Sequence, residues 1–308
     1  MIEIPERFAR GTVEREGEAG AAWLAGLPAI VEDLLERWGC ERDGRVVHGG
    51  VGVIVPVSRA SRRAVLKVSF PHPGNVHEPD AFAAWDGRGA VRLHERDDAR
   101  FAMLLERASS TTLRENPDTD EVMTVAGRIS RRLAVAAPPA LPRLAERADE
   151  WEERLGKDAA ELEHTMPRRV VDAARATARE LGRDQPGTLI HGDLHAGNIL
   201  RAEREPWLAV DPKGYAGDPA YDAGALLKGQ ALAFVAAGDP AKAMRRAMGV
   251  FADAAGLDPA RVRRWVQFHA VQAAFHGRRH GFNELREGPE MRGLMELADR
   301  FAEMLAET

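Results

Sequence analysis

Two hydrophobic textures divide the chain. Between residues 45 and 106 the apolar positions fall in short β-branched runs, and from about residue 117 they recur at helical spacing. Val46-Val47, Val51 to Val57 and Ala64 to Val68 predict strands, with Ser58 to Arg63 as the turn between two antiparallel ones. His77 to Asp86 has a helical pattern that Gly87-Arg88-Gly89 ends, and two more strands are expected near 90–94 and 100–106. Ahead of these, residues 19–39 place Trp23, Leu24, Leu27, Ile30, Val31, Leu34 and Leu35 at helical spacing. Pro28 either kinks that helix or opens its second half, and Gly39 stops it. Downstream, helices are predicted over 119–135, 143–164, 168–182, 219–236, 239–254, 259–280 and 290–306, the first two separated by the Pro-rich run 137–142. The expected class is α+β. A small β-rich N-terminal lobe, 1–106, has one main helix packed on an antiparallel sheet, and a larger, mostly helical lobe, 107–308, follows it.

One stretch interrupts the helical half. Leu189-Ile190-His191-Gly192-Asp193-Leu194-His195-Ala196-Gly197-Asn198-Ile199-Leu200 sets two short apolar runs around a glycine-containing loop, and Trp207 to Val210 leads into Asp211-Pro212-Lys213-Gly214. Asn198 follows Asp193 by five residues and Asp211 follows Asn198 by thirteen, the spacing of a kinase catalytic loop and its metal-binding aspartate. A transferring phosphoryl group concentrates negative charge, so cations must be supplied and the acceptor hydroxyl held in line. Mg²⁺ takes oxygen ligands and keeps several waters, which suits Asp211 and Asn198 as its protein ligands. Asp193 is then left to accept or orient the hydroxyl proton. A rival reading puts His191, Asp193 and His195 on one face of a strand as a mononuclear metal site. It gives Asn198 and Asp211 no role, and Gly192 and Gly197 suit a loop better.

Lys67 is the second chemical signal. A lone ammonium within Val65-Leu66-Lys67-Val68 is costly unless it meets an anion. In the kinase plan such a lysine reaches the nucleotide phosphates and pairs with a helix glutamate, here Glu78, with His77 beside it at the surface. Gly50 and Gly52, in His48-Gly49-Gly50-Val51-Gly52, are candidates to cover the phosphates with backbone N–H groups. The backbone of Leu104 and Glu106, where the lobes connect, is the candidate for adenine recognition. Asp218-Pro219 reads as a helix start, and Asp222 in the first turn is expected either to favour the helix dipole or to accept bonds from catalytic-loop N–H groups, not to react.

Composition narrows the partners. Of 308 residues, 44% are hydrophobic and 30% charged, and 43 basic against 48 acidic side chains give a net charge of −5. Broad attraction to nucleic acid or anionic lipid is not expected. Cys40 is the single cysteine, Met1 to Arg7 has no signal-peptide character, and no apolar run approaches a bilayer span. The expectation is a cytoplasmic monomer with no membrane or nucleic-acid partner.

These residues resemble the aminoglycoside phosphotransferase superfamily, through His191 to Asn198 and Asp211 to Asp222. Ala202 to Ala209, the Asp-Pro-Lys run, Ala64 to Ser69 and Trp85 to His94 are similar to its streptomycin 6-phosphotransferase and hydroxyurea phosphotransferase branch. Ala196 stands where proline is frequent in the family. The resemblance implies a bilobal protein-kinase-like fold, ATP and Mg²⁺, and a small-molecule hydroxyl acceptor. It carries Asp193 over as catalytic base, Asn198 and Asp211 as metal ligands, and Lys67 as the phosphate-binding lysine. A streptomycin-type acceptor is cationic, and the acidic stretches Glu146–Glu153 and Glu284–Glu290 could face its guanidinium groups. A metabolic sugar or amino-alcohol kinase, or a hydroxyurea kinase, and a catalytically silent nucleotide-binding module are the alternatives.

Overall fold

The first helix, α1 (Glu6–Arg37), starts well before the predicted residue 19. Its break falls at Gly17 (φ +60°, ψ −135°), a backbone conformation open to glycine, while Pro28 sits within the helical stretch. The computed structural model describes residues 2–281 and 289–306. They form two compact units, Met1–Ser110 with Leu200–Lys213, and Thr111–Ile199 with Gly214–Thr308. A single cut after Glu106 leaves out the return of 200–213 to the first unit.

The first unit is built on an antiparallel sheet of β1 (Glu41–Arg42), β2 (Val47–His48), β3 (Gly52–Arg59), β4 (Arg62–Ser69), β5 (Leu93–Asp97) and β6 (Ala102–Glu106). Its order is β1-β3-β4-β6-β5, with β2 also pairing β3. The hairpin between β3 and β4 turns on Ala60 and Ser61, both at positive φ, as a two-residue connection requires. Side chains alternate across a sheet. One face therefore buries Val53, Val55, Val57, Leu66, Val68 and Leu104 in a core shared with Leu27, Val31 and Leu34 of α1. Burying each such side chain contributes about 1.5–3 kcal/mol. Lys67 lies on the other face, where α2 (Glu78–Trp85) buries Glu78, Phe82 and Trp85. Asp86 (φ +46°) and Gly87 (φ +78°) end α2, as the glycine pattern predicts.

Residues 200–213 are tied to the same unit. Ala209 N–H donates to Gly89 O (2.9 Å), Val91 N–H donates to Ala209 O (3.1 Å), and Arg204 bonds Glu106 (2.8 Å) and Ala90 O (2.9 Å). These anchors lie about a hundred positions away along the chain, so no local sequence sign exists for them.

The second unit is helical: α3 (Thr119–Leu133), α4 (Ala148–Glu161), α5 (Arg168–Glu180), α6 (Asp222–Lys228), α7 (Ala231–Ala236), α8 (Pro240–Ala255), α9 (Pro259–His280) and α10 (Pro289–Ala306). The predicted helix over 219–236 divides into a 3₁₀ turn, α6 and α7, with Gly229 and Gln230 between the last two. Three helical starts share one device: Asp218, Asp239 and Asp258 accept first-turn N–H bonds, and the proline after each opens the helix. The central helix is α9, which packs on α4, α5, α6, α8 and α10. Its Trp265 is fully buried and donates through Nε1 to Asp218 (2.6 Å), itself nearly inaccessible. Among the described residues no helix is long and apolar enough to cross a membrane.

His269 of α9 packs where Gly224 has no side chain, since a Cβ there would lie 2.0 Å from the ring. Its Nε2 is buried without a hydrogen-bond partner among the described residues. Burial, then the charge of Lys228, push its pKa down to about 3, against a bond to the Tyr221 backbone. The ordinary value is 6.5, so the unfolded chain binds the proton first as pH falls. Its contribution is intact above pH 6.5 and is lost between 6.5 and 3, reaching roughly 2 kcal/mol by pH 5. Urea denaturation at pH 7.5 and pH 5 should show that loss, reduced in His269→Gln. Equal pH dependence of the two proteins contradicts the assignment.

Candidate active site

In the first unit Lys67 Nζ donates to Glu78 Oε1 (2.5 Å) and to Asp211 Oδ1 (2.7 Å). Strand β4 places the lysine, the first residue of α2 supplies the glutamate, and the anchored 200–213 segment brings in the aspartate. Lys67 and Glu78 are buried, while the Asp211 side chain is 39% exposed. Burial alone would lower the Lys67 pKa, but the two carboxylates outweigh it and raise it, so the ammonium stays charged. Burial pushes Glu78 up to about 7, with Asp211 adding to the rise and Lys67 opposing it. Asp211 holds a left-handed backbone (φ +61°), a strained setting for a non-glycine residue and one that recurs at functional sites. Lys213, which no motif reading singled out, is half-buried; its charge also reaches Glu78, and its Nζ lies 3.7 Å from where a Gly74 Cβ would be.

Gly50 is open, with nothing within 4 Å of an added Cβ. Gly52 is confined, because its Cβ would meet Ser69 Oγ at 2.7 Å and Val68 O at 2.8 Å across the β3–β4 ladder. Leu104 and Glu106, whose backbone is expected to recognise adenine, lie on strand β6. Strand β6 lies inside the sheet, paired on both sides, and Leu104 is a fully buried core residue. Glu106 N–H donates to Arg92 O (2.8 Å), and its carboxylate accepts from Arg204 and from Arg92 N–H. Burial pushes that carboxyl up, but Arg204 and Arg92 hold it below the usual range. Both residues serve the sheet and its brace to residue 204.

In the second unit the strand Thr188–Ile190, paired with Tyr215–Gly217, leads into the loop. Asp222 holds it: Oδ2 accepts from His191 N–H (3.0 Å) and Oδ1 from Gly192 N–H (2.8 Å). Burial pushes Asp222 up to about 7 against those two donors. Within the loop Asp193 O accepts from His195 N–H (2.9 Å) and from Asn198 Nδ2 (3.0 Å). The amide nitrogen of Asn198 is thereby engaged, and its Oδ1 is the atom suited to a metal. Leu194 and Ile199 pin the loop from below, both fully buried.

No strand carries His191, Asp193 and His195 on one face. Gly192 turns the chain at φ +81°, His191 Nδ1 accepts from Asp193 N–H (3.2 Å), and His195 Nδ1 accepts from Gly197 N–H (3.1 Å). Among the described residues no three of His, Cys, Asp and Glu are grouped to hold a metal. An ion ligated by Asn198 or Asp211 would depend on water and phosphate oxygens for its other positions, as Mg²⁺ does. Their oxygen donors fit that ion.

Much of the first acidic stretch is already neutralised: Glu152 pairs with Arg179, Asp149 with Arg183, and Glu150 lies 3.8 Å from Arg147. The second stretch, 284–290, falls outside the described side chains.

A family model described as aminoglycoside/hydroxyurea antibiotic resistance kinase matches residues 37–281. The chain belongs to that family. The kinase is 39% identical to streptomycin 6-kinase of Streptomyces glaucescens, over 89% of its own length and 90% of the relative's. It is 36% identical to hydroxyurea phosphotransferase of Kitasatospora aureofaciens, over 88% and 79% respectively. Its fold is that of aminoglycoside phosphotransferase APH(4)-Ia, whose ternary complex with AMP-PNP and hygromycin B superimposes with TM-score 0.55 at 12% identity, over 91% of this chain and 98% of that one. The expected bilobal, kinase-like class of small sheet-based and larger helical parts agrees with this likeness.

Asp222→Ala would strand two N–H groups at the base of the loop, an expected loss of about 1–3 kcal/mol for each group left buried and unpaired. Chemical denaturation and turnover should both fall, with Asp222→Asn, which keeps one acceptor oxygen, between alanine and wild type. Wild-type stability and turnover in the alanine variant contradict the anchoring role.

Proposed function

We propose that the kinase transfers the γ-phosphoryl group of Mg·ATP to a hydroxyl of streptomycin, Asp193 acting as base. The observation that carries the chemistry is the Asp193–Asn198 turn: a short loop on buried supports, with the carboxylate half-buried and the amide oxygen left for a metal. Asn198 and Asp211 would hold Mg²⁺, which neutralises phosphate charge when bound. Lys67 would meet the phosphates, with Glu78 fixing its ammonium. Gly50 and Gly52 would cover the phosphates through backbone N–H groups. Base recognition would fall to the backbone beyond the β6 ladder.

Similarity to streptomycin 6-kinase over nine-tenths of both chains supports the acceptor. Hydroxyurea is the second reading, supported by the relative at 36% identity. Sugar and amino-alcohol acceptors have no comparable support in sequence, and a silent module would have no use for both the base and the paired lysine. A cytoplasmic monomer is the proposed form, in keeping with a single cysteine.

Phosphoryl transfer from labelled ATP to streptomycin, hydroxyurea, choline and simple sugars tests the acceptor. Streptomycin should be the preferred substrate, and no transfer to it rejects that part of the reading. Asp193→Asn should lower kcat by about 10²–10⁴, the usual worth of a positioned base, with Mg·ATP affinity nearly unchanged. Near-normal turnover by that variant rejects the base assignment.

A further inference from the structure

We propose that Arg114 is an anion-binding side chain of the catalytic turn, contacting phosphate oxygens of the bound nucleotide; this rests on the phosphotransfer reading above. Arg114 lies on a one-turn 3₁₀ helix, Leu113–Glu115, that packs against the turn Ala196–Asn198 of the catalytic loop. The short helix is rigidly set. Leu113 is fully buried, Glu115 Oε1 accepts from Thr112 N–H (2.8 Å) and Oγ1 (3.2 Å), and Asn116 N–H donates to Leu113 O (3.1 Å). Arg114 Nη2 consequently lies over Gly197, 2.9 Å from the position of an added Cβ. The missing side chain at Gly197 is what lets the guanidinium approach the loop backbone between His195 and Asn198.

The charge there has no protein counterpart. Glu115, the adjacent carboxylate, is engaged in the cap. Arg114 is exposed and forms no ion pair among the described residues. Arg128, Arg131, Arg143, Arg245 and Arg263 of the same unit also form none there; what sets Arg114 apart is its place beside the catalytic turn. A guanidinium keeps its charge at any working pH and presents donors in a fork that fits phosphate oxygens. A cationic acceptor would be repelled by it, so the ligand of the right sign is the nucleotide. The ordinary alternative is a solvated surface arginine. It does not account for a capped turn that sets this side chain beside the one glycine of the catalytic turn.

The test compares full-length wild type, Arg114→Ala, Arg114→Gln and Arg114→Lys. Calorimetric titration with Mg·ATP should show at least tenfold weaker binding in the alanine and glutamine variants and partial recovery in the lysine variant. Melting temperatures should stay near wild type, because the side chain is exposed and unpaired. Steady-state kinetics should show the loss in kcat/KM for ATP, with KM for the acceptor changed less than twofold. Alanine and glutamine variants with Mg·ATP affinity within twofold of wild type overturn the proposal. So does a lysine variant as weak as alanine, which would mean that charge is not the property used. The titration needs no acceptor, so a wrong acceptor assignment leaves this readout intact.

Discussion

A buried ammonium between two carboxylates sets the electrostatics of the first unit. Alone, Lys67 would oppose folding, because burial disfavours the charged form. Glu78 and Asp211 reverse that balance, and removing one partner of such a buried pair typically destabilises by 3–5 kcal/mol. With both carboxylates ionised the three groups carry one excess negative charge, and Asp211 is the most exposed of them. A divalent cation with a triphosphate is the kind of ligand that completes such a charge set. The structural anchors around it, Ala209 on Gly89 and Val91 and Arg204 on Glu106, make sense as devices that hold Asp211 beside a lysine from a distant part of the chain.

The second unit solves a similar problem with backbone donors. Asp222 is buried and accepts two loop N–H groups, so the turn containing Asp193 rests on a hydrogen-bonded footing as well as on its buried Leu194 and Ile199. Asn198 closes the turn on Asp193 O. A loop this constrained has little conformational entropy left to lose when its side chains engage a ligand, which is how positioning contributes to rate.

What could be read in the sequence follows from contact range. The catalytic turn was legible because its bonds join residues two to five apart, and Asp222 because an Asp-Pro helix start marks its neighbourhood. Strands β3 and β4 and most helices announced themselves through β-branched runs and 3.6-residue spacing. The part of α1 ahead of residue 19, with its break at Gly17, was hidden because few apolar positions there mark a helical face. The return of 200–213 to the first unit depends on pairings with residues 89–91 and 106, which no local pattern encodes. The sheet continues to Glu106, so position along the chain does not by itself mark where the connection after β6 begins. The acidic run on α4 looked available until its arginine partners came into place from α5 and the segment after it.

Lys67 and Asp211 form one charge set, and its proposed ligand is a magnesium–nucleotide complex. Calorimetric titration of ATP into wild type, Lys67→Met and Asp211→Asn, with and without Mg²⁺, tests it most directly. Binding should be magnesium-dependent in wild type, at least tenfold weaker in Lys67→Met, and stripped of most of its magnesium dependence in Asp211→Asn. Wild-type affinity and undiminished magnesium dependence in both variants would contradict it.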